Sequence, residues 1–318
     1  MTPQEEKQIA RWNDGLPHDI RVRLVMTGAP ADSEFEKFCD QFSGLAPRVR
    51  ILKKKDDAED ALPAIGIGNG LRYHAIPLGR ELPPFLDALA QPSPLPPALR
   101  DRLGNLPFPV NLRLYIAPLC PFCPATVAQL IPLTTAGDQI SLSIIDAERF
   151  PDAARADKIQ AVPTLVMDER VRWSGTVALQ AVADVLAGTD PSRLSVASLE
   201  QLVKSGAAGK LAEMMIRYGD IFPAFWDLLV HEKWPVRLGA MVAAEALADQ
   251  DKPLAARLIA PLWERFDAAD DTLRGDLLYV MGVAGDAALI PRLEAIATGA
   301  YGPDVTEAAR EAIDNIRN

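Results

Sequence analysis

Hydrophobic and polar positions alternate along several short stretches in the middle of the chain, and an alternation of period two predicts strands. These stretches are Val110–Ala117, Ile140–Asp146, Thr164–Met167 and Val171–Trp173. Between them, apolar residues recur at helical spacing, which predicts helices over Pro121–Thr135, Pro151–Ile159 and Thr176–Leu186. The order strand, helix, strand, helix, two strands and helix predicts an α/β unit.

The first segment repeats this order in a shorter form. Its predicted strands are Arg21–Thr27, Val49–Lys53, Ala64–Ile67 and Leu71–Ile76, and its predicted helices are Ser33–Phe42 and Leu82–Leu89. After the first strand the middle segment has Ala-Pro-Leu-Cys at 117–120, whereas the first segment has Gly-Ala-Pro-Ala at 28–31. We therefore interpret the first segment as a structural copy without active-site cysteines.

The last segment is predicted to be helical throughout and carries its own repeat. Pro223, Pro261 and Pro291 are each followed by apolar residues two and five positions later, and a second helix is predicted to open at Val236, Leu273 or Val305. Units of two helices that recur every 30 to 38 residues or so are typical of an α-solenoid. We expect the three prolines to kink the first helix of each pair.

Small and aromatic residues of this helical segment predict its packing. Gly239 and Gly275 are expected to allow close approach of neighbouring helices. Trp226, Trp234 and Trp263 stand among Leu and Phe residues at helical spacing, so we expect all three to lie in the core between helices.

Proline- and glycine-rich stretches at 91–109 and 188–192 are interpreted as linkers. They divide the chain into three predicted domains, at residues 1–100, 107–188 and 193–318. Each of these segments has a plausible size for a domain or subdomain.

Composition and charge argue against a membrane protein and against a nucleic-acid-binding protein. The chain has 318 residues, of which 49% are hydrophobic, and 43 acidic against 33 basic side chains give a net charge of −10. No apolar run approaches the roughly 18 to 20 residues of a membrane-spanning helix, and the first residues do not form a secretory signal. An acidic protein is poorly suited to neutralising phosphates. We expect a cytoplasmic protein that binds neither membranes nor nucleic acid.

The three cysteines, Cys39, Cys120 and Cys123, are too few for a disulfide scaffold. Cys120-Pro-Phe-Cys123 falls where a predicted strand passes into a helix, and free backbone N–H groups at a helix N-terminus stabilise a thiolate. Cys120 is therefore the predicted nucleophile with the lowered pKa, and Cys123 is placed to attack the mixed disulfide. Two structural cysteines, or half of a zinc site completed by distant histidines, are the alternatives.

Other ionisable residues are given less weight. Cys39 lies in the middle of a predicted helix, so we expect a small buried hydrophobic residue there rather than a reactive thiol. Asp146 closes a predicted strand, and a capping or turn role is expected for it. Neither Asp146 nor Glu148 is assigned to catalysis.

The order of elements over 107–188, the Cys-Pro-Phe-Cys-Pro motif and Val162-Pro163-Thr164 downstream together resemble the thioredoxin and glutaredoxin fold. The resemblance implies that Pro163 is in the cis form and faces the cysteine pair. It also implies that Pro121, Phe122, Val162 and Pro163 form the surface that binds substrate. The tandem arrangement is similar to the N-terminal domain of the alkyl hydroperoxide reductase flavoprotein and to protein disulfide oxidoreductases.

The predicted fold class is therefore α/β, with two thioredoxin-like units followed by an all-α segment that resembles HEAT repeats. The resemblance implies a thiol–disulfide oxidoreductase that reduces protein disulfides, with electrons from a separate reductase or a small thiol. No cofactor is predicted, because the chain has no Gly-x-Gly-x-x-Gly segment. The helical tail is expected to dock a protein client. The alternative is a redox-sensing adaptor that binds a client through this tail without turnover.

Overall fold

A mixed β-sheet forms the centre of the N-terminal part of the computed structural model, which describes residues 1–56, 61–90, 93–168, 171–204 and 206–317. The chain divides into unit 1, Met1–Gly188, and unit 2, Thr189–Asn318. The strands described in unit 1 are β1 Ile20–Met26, β2 Val49–Lys55, β3 Ala64–Ile67, β4 Leu71–His74, β5 Val110–Ile116, β6 Ile140–Asp146, β7 Thr164–Met167 and β8 Val171–Ser174. They lie in the order β2-β1-β3-β4-β6-β5-β7-β8.

The sheet consists of two halves with the same strand order. In each half the first two strands pair in parallel, while the third pairs antiparallel with the first and the fourth antiparallel with the third. The halves join where β4 pairs in parallel with β6, with Leu71 opposite Leu142. The predicted duplication is confirmed, and both copies contribute to one continuous sheet.

Helices cover the sheet of unit 1. They are α1 Pro3–Asp14, α2 Asp32–Leu45, α3 Leu82–Ala90, α4 Pro97–Gly104, α5 Cys123–Leu130, α6 Pro151–Ala156 and α7 Leu179–Ala187, with 3-10 helices at Gly79–Glu81 and Ile131–Thr135. The aromatic residues Phe38, Phe42, Tyr73 and Phe85 join α2 and α3 to β4, with ring centroids 5.2 to 6.1 Å apart. Such ring pairs add about 0.5–1.5 kcal/mol each to the energy of burial.

Two elements differ from their predicted form. The stretch interpreted as a linker contains α4, in which Pro97 occupies the first position, where its missing N–H costs no hydrogen bond. Leu99 and Leu103 are buried, and α4 packs against α7. Gln91 and Pro92 of the predicted linker lie outside the described residues.

The helix predicted from Pro121 begins two residues later, at Cys123, so Pro121 lies in the preceding turn rather than at the first helical position. Pro124 stands in the first helical turn, where backbone N–H groups have no partner within the helix. It therefore deletes no regular helical hydrogen bond. The α-helix changes to a 3-10 helix at Ile131, next to Pro132, which lacks a donor.

Parallel strands bring several chain segments to one edge of the sheet. β1, β4, β5 and β6 run in the same direction, and β3 and β7 run the opposite way. The C-terminal ends of the first group therefore lie at the edge where β3 and β7 begin, and this is called the carboxyl edge. The loops 27–31 and 117–122, together with Pro63 and Pro163, lie along it.

Unit 2 is helical, as predicted. Its helices within the described ranges are α8 Val196–Lys204, α9 Ala208–Tyr218, α10 Pro223–Leu229, α11 Trp234–Gln250, α12 Lys252–Ala256, α13 Ile259–Phe266, α14 Asp271–Ala284, α15 Ile290–Ala297 and α16 Pro303–Arg317. α9, α11, α14 and α16 pack on one another in chain order and form one layer. Among the described residues, no helix is long and apolar enough to cross a membrane.

The second helices of unit 2 begin within two residues of Val236, Leu273 and Val305, as predicted. The expected kinks are wrong. Pro223, Pro261 and Pro291 lie in the first turns of α10, α13 and α15, where a proline removes no hydrogen bond of the helix.

The two glycines of unit 2 expected to allow close helix packing have different surroundings. A Cβ added at Gly239 would lie 2.7 Å from Cβ of Val203, so the close approach of α11 and α8 requires glycine, as expected. A Cβ added at Gly275 would meet nothing within 4 Å, so the expectation for this residue is wrong. Trp263 is buried, but Trp234 is exposed, because it stands on the outer face of α11.

Candidate active site

The cysteine pair lies at the carboxyl edge, between β5 and α5. Cys120 and Cys123 form a disulfide with their Cα atoms 5.5 Å apart. The backbone N–H of Cys123, the first residue of α5, donates to Sγ of Cys120 over 3.1 Å. Cys123 is fully buried, and Cys120 retains a small exposed area. A nucleophile arriving from solvent therefore meets the sulfur of Cys120 first.

The loop before β7 lies against this disulfide. The Val162–Pro163 peptide bond is cis, as the resemblance implied. Sγ of Cys120 is 3.8 Å from the carbonyl oxygen of Val162. The Thr164 hydroxyl donates to the carbonyl of Ala161 over 2.8 Å, and the Gly175 N–H donates to the carbonyl of Pro163. These hydrogen bonds hold the loop beside the disulfide.

Apolar side chains beside the pair face solvent. Leu119 is 88% exposed and Phe122 is 59% exposed. Pro121 is also exposed, Val162 is half-buried and Pro163 is buried. Of the residues expected to bind substrate, Pro121 and Phe122 lie between the two cysteines in the chain, and Val162 approaches the Cys120 sulfur through its carbonyl oxygen.

A partly buried ionic cluster lies where the end of α6 meets β5. Arg113 of β5 donates from Nε and Nη2 to the Asp157 carboxylate over 2.6 and 2.8 Å, and the Tyr115 hydroxyl donates to it over 2.6 Å. Burial, together with Asp157, raises the pKa of Tyr115. The cluster ties the end of α6 to the strand that leads to Cys120. Sequence reasoning missed it, because Arg113 and Asp157 are 44 residues apart.

Asp146 has the role expected for it. Its Oδ1 accepts hydrogen bonds from the backbone N–H groups of Glu148 and Arg149 over 3.0 and 3.2 Å, which closes the turn after β6. The nearby cleft of Pro30, Glu34, Pro118, Asp146, Glu148 and Arg149 has a volume of about 480 Å³. Arg149 pairs with Glu34 at 2.6 Å there.

Glu81 is a second residue that sequence reasoning missed. It lies on the 3-10 helix Gly79–Glu81, which packs against α5. Its side chain is buried, neither carboxylate oxygen has a hydrogen-bond partner among the described residues, and burial raises its pKa to about 7. A glutamate inside an apolar helical stretch could have signalled it. A carboxyl group with this pKa exchanges protons near neutral pH.

The loop 27–31 of the first copy corresponds to the cysteine loop 117–122, and it is held by hydrogen bonds instead of a disulfide. Asp32 begins α2 as Cys123 begins α5. Its carboxylate accepts from the backbone N–H groups of Thr27 and Gly28, the latter over 2.7 Å, and from the Thr27 hydroxyl. Hydrogen bonds to a carboxylate thus stabilise the loop that a disulfide closes in the second copy.

Cys39 is a free, buried residue of α2, and burial raises its pKa to about 12. The expectation of a small buried hydrophobic residue is confirmed. Within the described residues, no three side chains of His, Cys, Asp or Glu gather as metal ligands would.

Comparison with known proteins places unit 1 in a known fold. Residues 110–186 match the family model of the thioredoxin domain. Among solved structures, a protein disulfide oxidoreductase from Aeropyrum pernix aligns with a TM-score of 0.54 and 14% identity, over 61% of this chain and 95% of that one. The N-terminal domain of alkylhydroperoxide reductase from Enterococcus faecalis aligns with a TM-score of 0.50 and 17% identity, over 58% and 99%. The fold of unit 1 is thioredoxin-like.

Curated relatives are longer proteins. An NADH dehydrogenase of Ferdinandcohnia aciditolerans is 23% identical over 202 residues, which are 61% of this chain and 39% of the relative. An alkyl hydroperoxide reductase component of Staphylococcus aureus is 24% identical over 192 residues, 58% and 37% of the two chains. The chain spans about two fifths of the length of the curated relatives it matches.

Proposed function

We propose that this chain is a thiol–disulfide oxidoreductase that reduces disulfides of protein substrates through Cys120 and Cys123. The observation that carries the proposal is the Cys120–Cys123 disulfide at the start of α5, beside cis-Pro163. The thioredoxin-like fold of unit 1 supports the same chemistry. A reducing compartment such as the cytoplasm suits this direction of electron flow, and a separate reductase or a small thiol supplies the electrons.

The reaction begins with the reduced pair. The Cys120 thiolate attacks one sulfur of the substrate disulfide, an S–S bond forms to Cys120, and the other substrate sulfur leaves as a thiolate. The Cys123 N–H, which lies 3.1 Å from this sulfur, donates to the thiolate before attack. Only Cys120 has exposed area, so it is the residue that meets the substrate.

The second step closes the protein disulfide. Cys123 loses its proton and attacks Cys120 of the mixed disulfide, and the substrate leaves as a second thiolate that takes up a proton. Cys123 is fully buried, so its proton needs an acceptor inside the protein. Glu81 is the proposed acceptor, because its buried carboxylate has no hydrogen-bond partner among the described residues and stands on the 3-10 helix that packs against α5.

A substrate strand would lie across the surface made by Leu119, Pro121, Phe122, Val162 and Pro163. The two exposed apolar side chains, Leu119 and Phe122, favour substrates that present apolar residues next to their disulfide. These apolar contacts would keep the substrate bound while the two exchange steps proceed.

The test is reduction of insulin, or of a glutathione-coupled mixed disulfide, by the full chain. Cys120→Ser is expected to abolish turnover, because it removes the nucleophile. Cys39→Ser is the matched control, since this thiol is buried in the other copy, and it should retain the rate of the unmodified chain. Equal rates for Cys120→Ser and the unmodified chain would overturn the proposal.

The helical unit 2 is proposed to hold a protein client, as its HEAT-like pattern predicts. If the chain were instead a redox-sensing adaptor, a client would bind, but the cysteine pair would show no turnover. The exposed apolar residues on α11 favour a docking role for unit 2 under either function. The insulin assay distinguishes the oxidoreductase from the adaptor, because only an oxidoreductase turns over and reduces more than one insulin disulfide per chain.

A further inference from the structure

The outer face of α11 in unit 2 is apolar along half of its length. The side chains of Trp234, Leu238 and Val242 are 51%, 40% and 45% exposed, whereas most large apolar side chains of unit 2 are buried. They recur at intervals of four residues and form one ridge about 12 Å long. The only other exposed large apolar side chain in the described part of unit 2 is Tyr218. This clustering is typical of an interaction site rather than of scattered surface residues.

Neighbouring helices leave the ridge open. α11 packs between α9 and α14, and its buried side faces α8 and α10. Arg237 of α11 is buried and pairs with Asp276 of α14 at 2.7 Å, so its charge is turned to α14 rather than to the exposed ridge.

The same face becomes acidic toward the end of α11. Glu245 and Asp249 are exposed and continue the line of Val242. The Tyr279 hydroxyl of α14 donates to Glu245 over 3.2 Å and so positions this carboxylate. The only basic residue of α11, Arg237, is buried in its ion pair. Unit 2 as a whole carries 20 acidic and 13 basic side chains.

We propose that this face, Trp234, Leu238, Val242, Glu245 and Asp249, docks a basic amphipathic helix of a partner protein. A helix is the occupant that fits a straight ridge, because side chains at spacings of three and four residues interlock with such a ridge. Basic residues of the partner helix pair with Glu245 and Asp249, whereas a second copy of this acidic unit would bring like charges together. This docking rests on the client-binding role proposed for unit 2, and it does not depend on the redox chemistry of unit 1.

The test uses the full chain and a fluorescein-labelled amphipathic peptide of leucine and lysine that contains no tryptophan. We expect saturable binding in fluorescence anisotropy, a shift of Trp234 emission to shorter wavelength that Trp234→Phe abolishes, and at least about tenfold weaker binding to Leu238→Lys/Val242→Lys. Leu52→Lys, which changes an exposed leucine of β2 in unit 1, is the matched control and should bind as the unmodified chain does. A peptide with glutamate in place of lysine should bind at least about tenfold more weakly.

Three results would overturn the proposal. Unchanged affinity of Leu238→Lys/Val242→Lys, with its helical content retained by circular dichroism, would exclude this face. Equal affinity for the glutamate peptide would exclude charge recognition. A dimer of the unmodified chain in sedimentation velocity that Leu238→Lys/Val242→Lys dissociates would show that a second copy occupies the face.

Discussion

The carboxyl group of Glu81 is expected to make stability depend on pH. Its pKa is about 7 in the folded chain and near 4.5 without burial, so between these values the folded state holds a proton that the unfolded state releases. The free energy of unfolding due to this group therefore falls as pH rises from 4.5 to 7. The loss is roughly 2–3 kcal/mol, from about 1.4 kcal/mol for each pKa unit.

Glu81→Gln removes this dependence. We expect the variant to be about as stable as the unmodified chain at pH 5 and more stable at pH 8, measured by urea unfolding. The measurement to compare is the difference in the free energy of unfolding between the variant and the unmodified chain at each pH. Buried His74, whose pKa is lowered to about 4, makes the stability of both proteins rise with pH over a similar range, and this contribution cancels in the difference. An effect of the substitution that is equal at both pH values would contradict the assignment.

Asp157 is expected to be a positioning residue for the loop that carries Pro163. Asp157→Asn weakens the hydrogen bonds from Arg113 and Tyr115, so we expect a loss of about 1–3 kcal/mol in the free energy of unfolding. Asp152→Asn in the first turn of α6 is the matched control, because its pair with Arg155 is exposed and worth less than about 1 kcal/mol. Equal losses for the two variants would show that the partly buried cluster has no special role.

Local sequence patterns predict the role of a residue when its partners are close in the chain. The role of Asp146 follows from its place at a strand end, because its partners are two and three residues away. Arg113 and Asp157 meet only after β5 and α6 have packed, so no short-range pattern contains their pairing. The same holds for Glu81, whose raised pKa comes from burial in the folded chain.

Two glycines of unit 2 make a matched pair for testing helix packing. Gly239→Ala places a Cβ 2.7 Å from Val203, so we expect a loss of about 1–3 kcal/mol from overpacking α11 against α8. Gly275→Ala meets nothing within 4 Å, and alanine favours a helix over glycine by about 1 kcal/mol, so this variant should be more stable. Denaturant unfolding of both variants measures the difference, and a stabilising Gly239→Ala would contradict the packing described.

Elements were predictable where one pattern dominated. β5 and β6 alternate cleanly and were located to within one residue. α4 was missed because proline is compatible with the first turn of a helix as well as with a linker. Helical spacing identified α11, but spacing alone does not tell which apolar residues face the core, and Trp234 faces outward.

The continuous sheet of unit 1 predicts how the chain can be divided. β6 pairs with β4 on one side and β5 on the other, so a fragment of residues 107–188 would expose β6 as an apolar edge strand. We expect this fragment to aggregate and residues 1–188 to remain monomeric, as measured by size-exclusion chromatography. A monomeric, folded 107–188 fragment would show that the second copy does not need the first.

The join between the two copies was not visible in the sequence, because no residue pattern in β4 or β6 specifies which strand lies beside it. The duplication itself was predictable, since the order of elements recurs. The family model of the thioredoxin domain matches residues 110–186, and the first copy lies outside that match.

Asp32 has a consequence for how the molecule responds to its surroundings. A thiol reductant breaks the Cys120–Cys123 bond but has no sulfur to attack in the loop that Asp32 closes. Reduction and oxidation of the pair therefore make and break a covalent bond in only one of the two homologous loops.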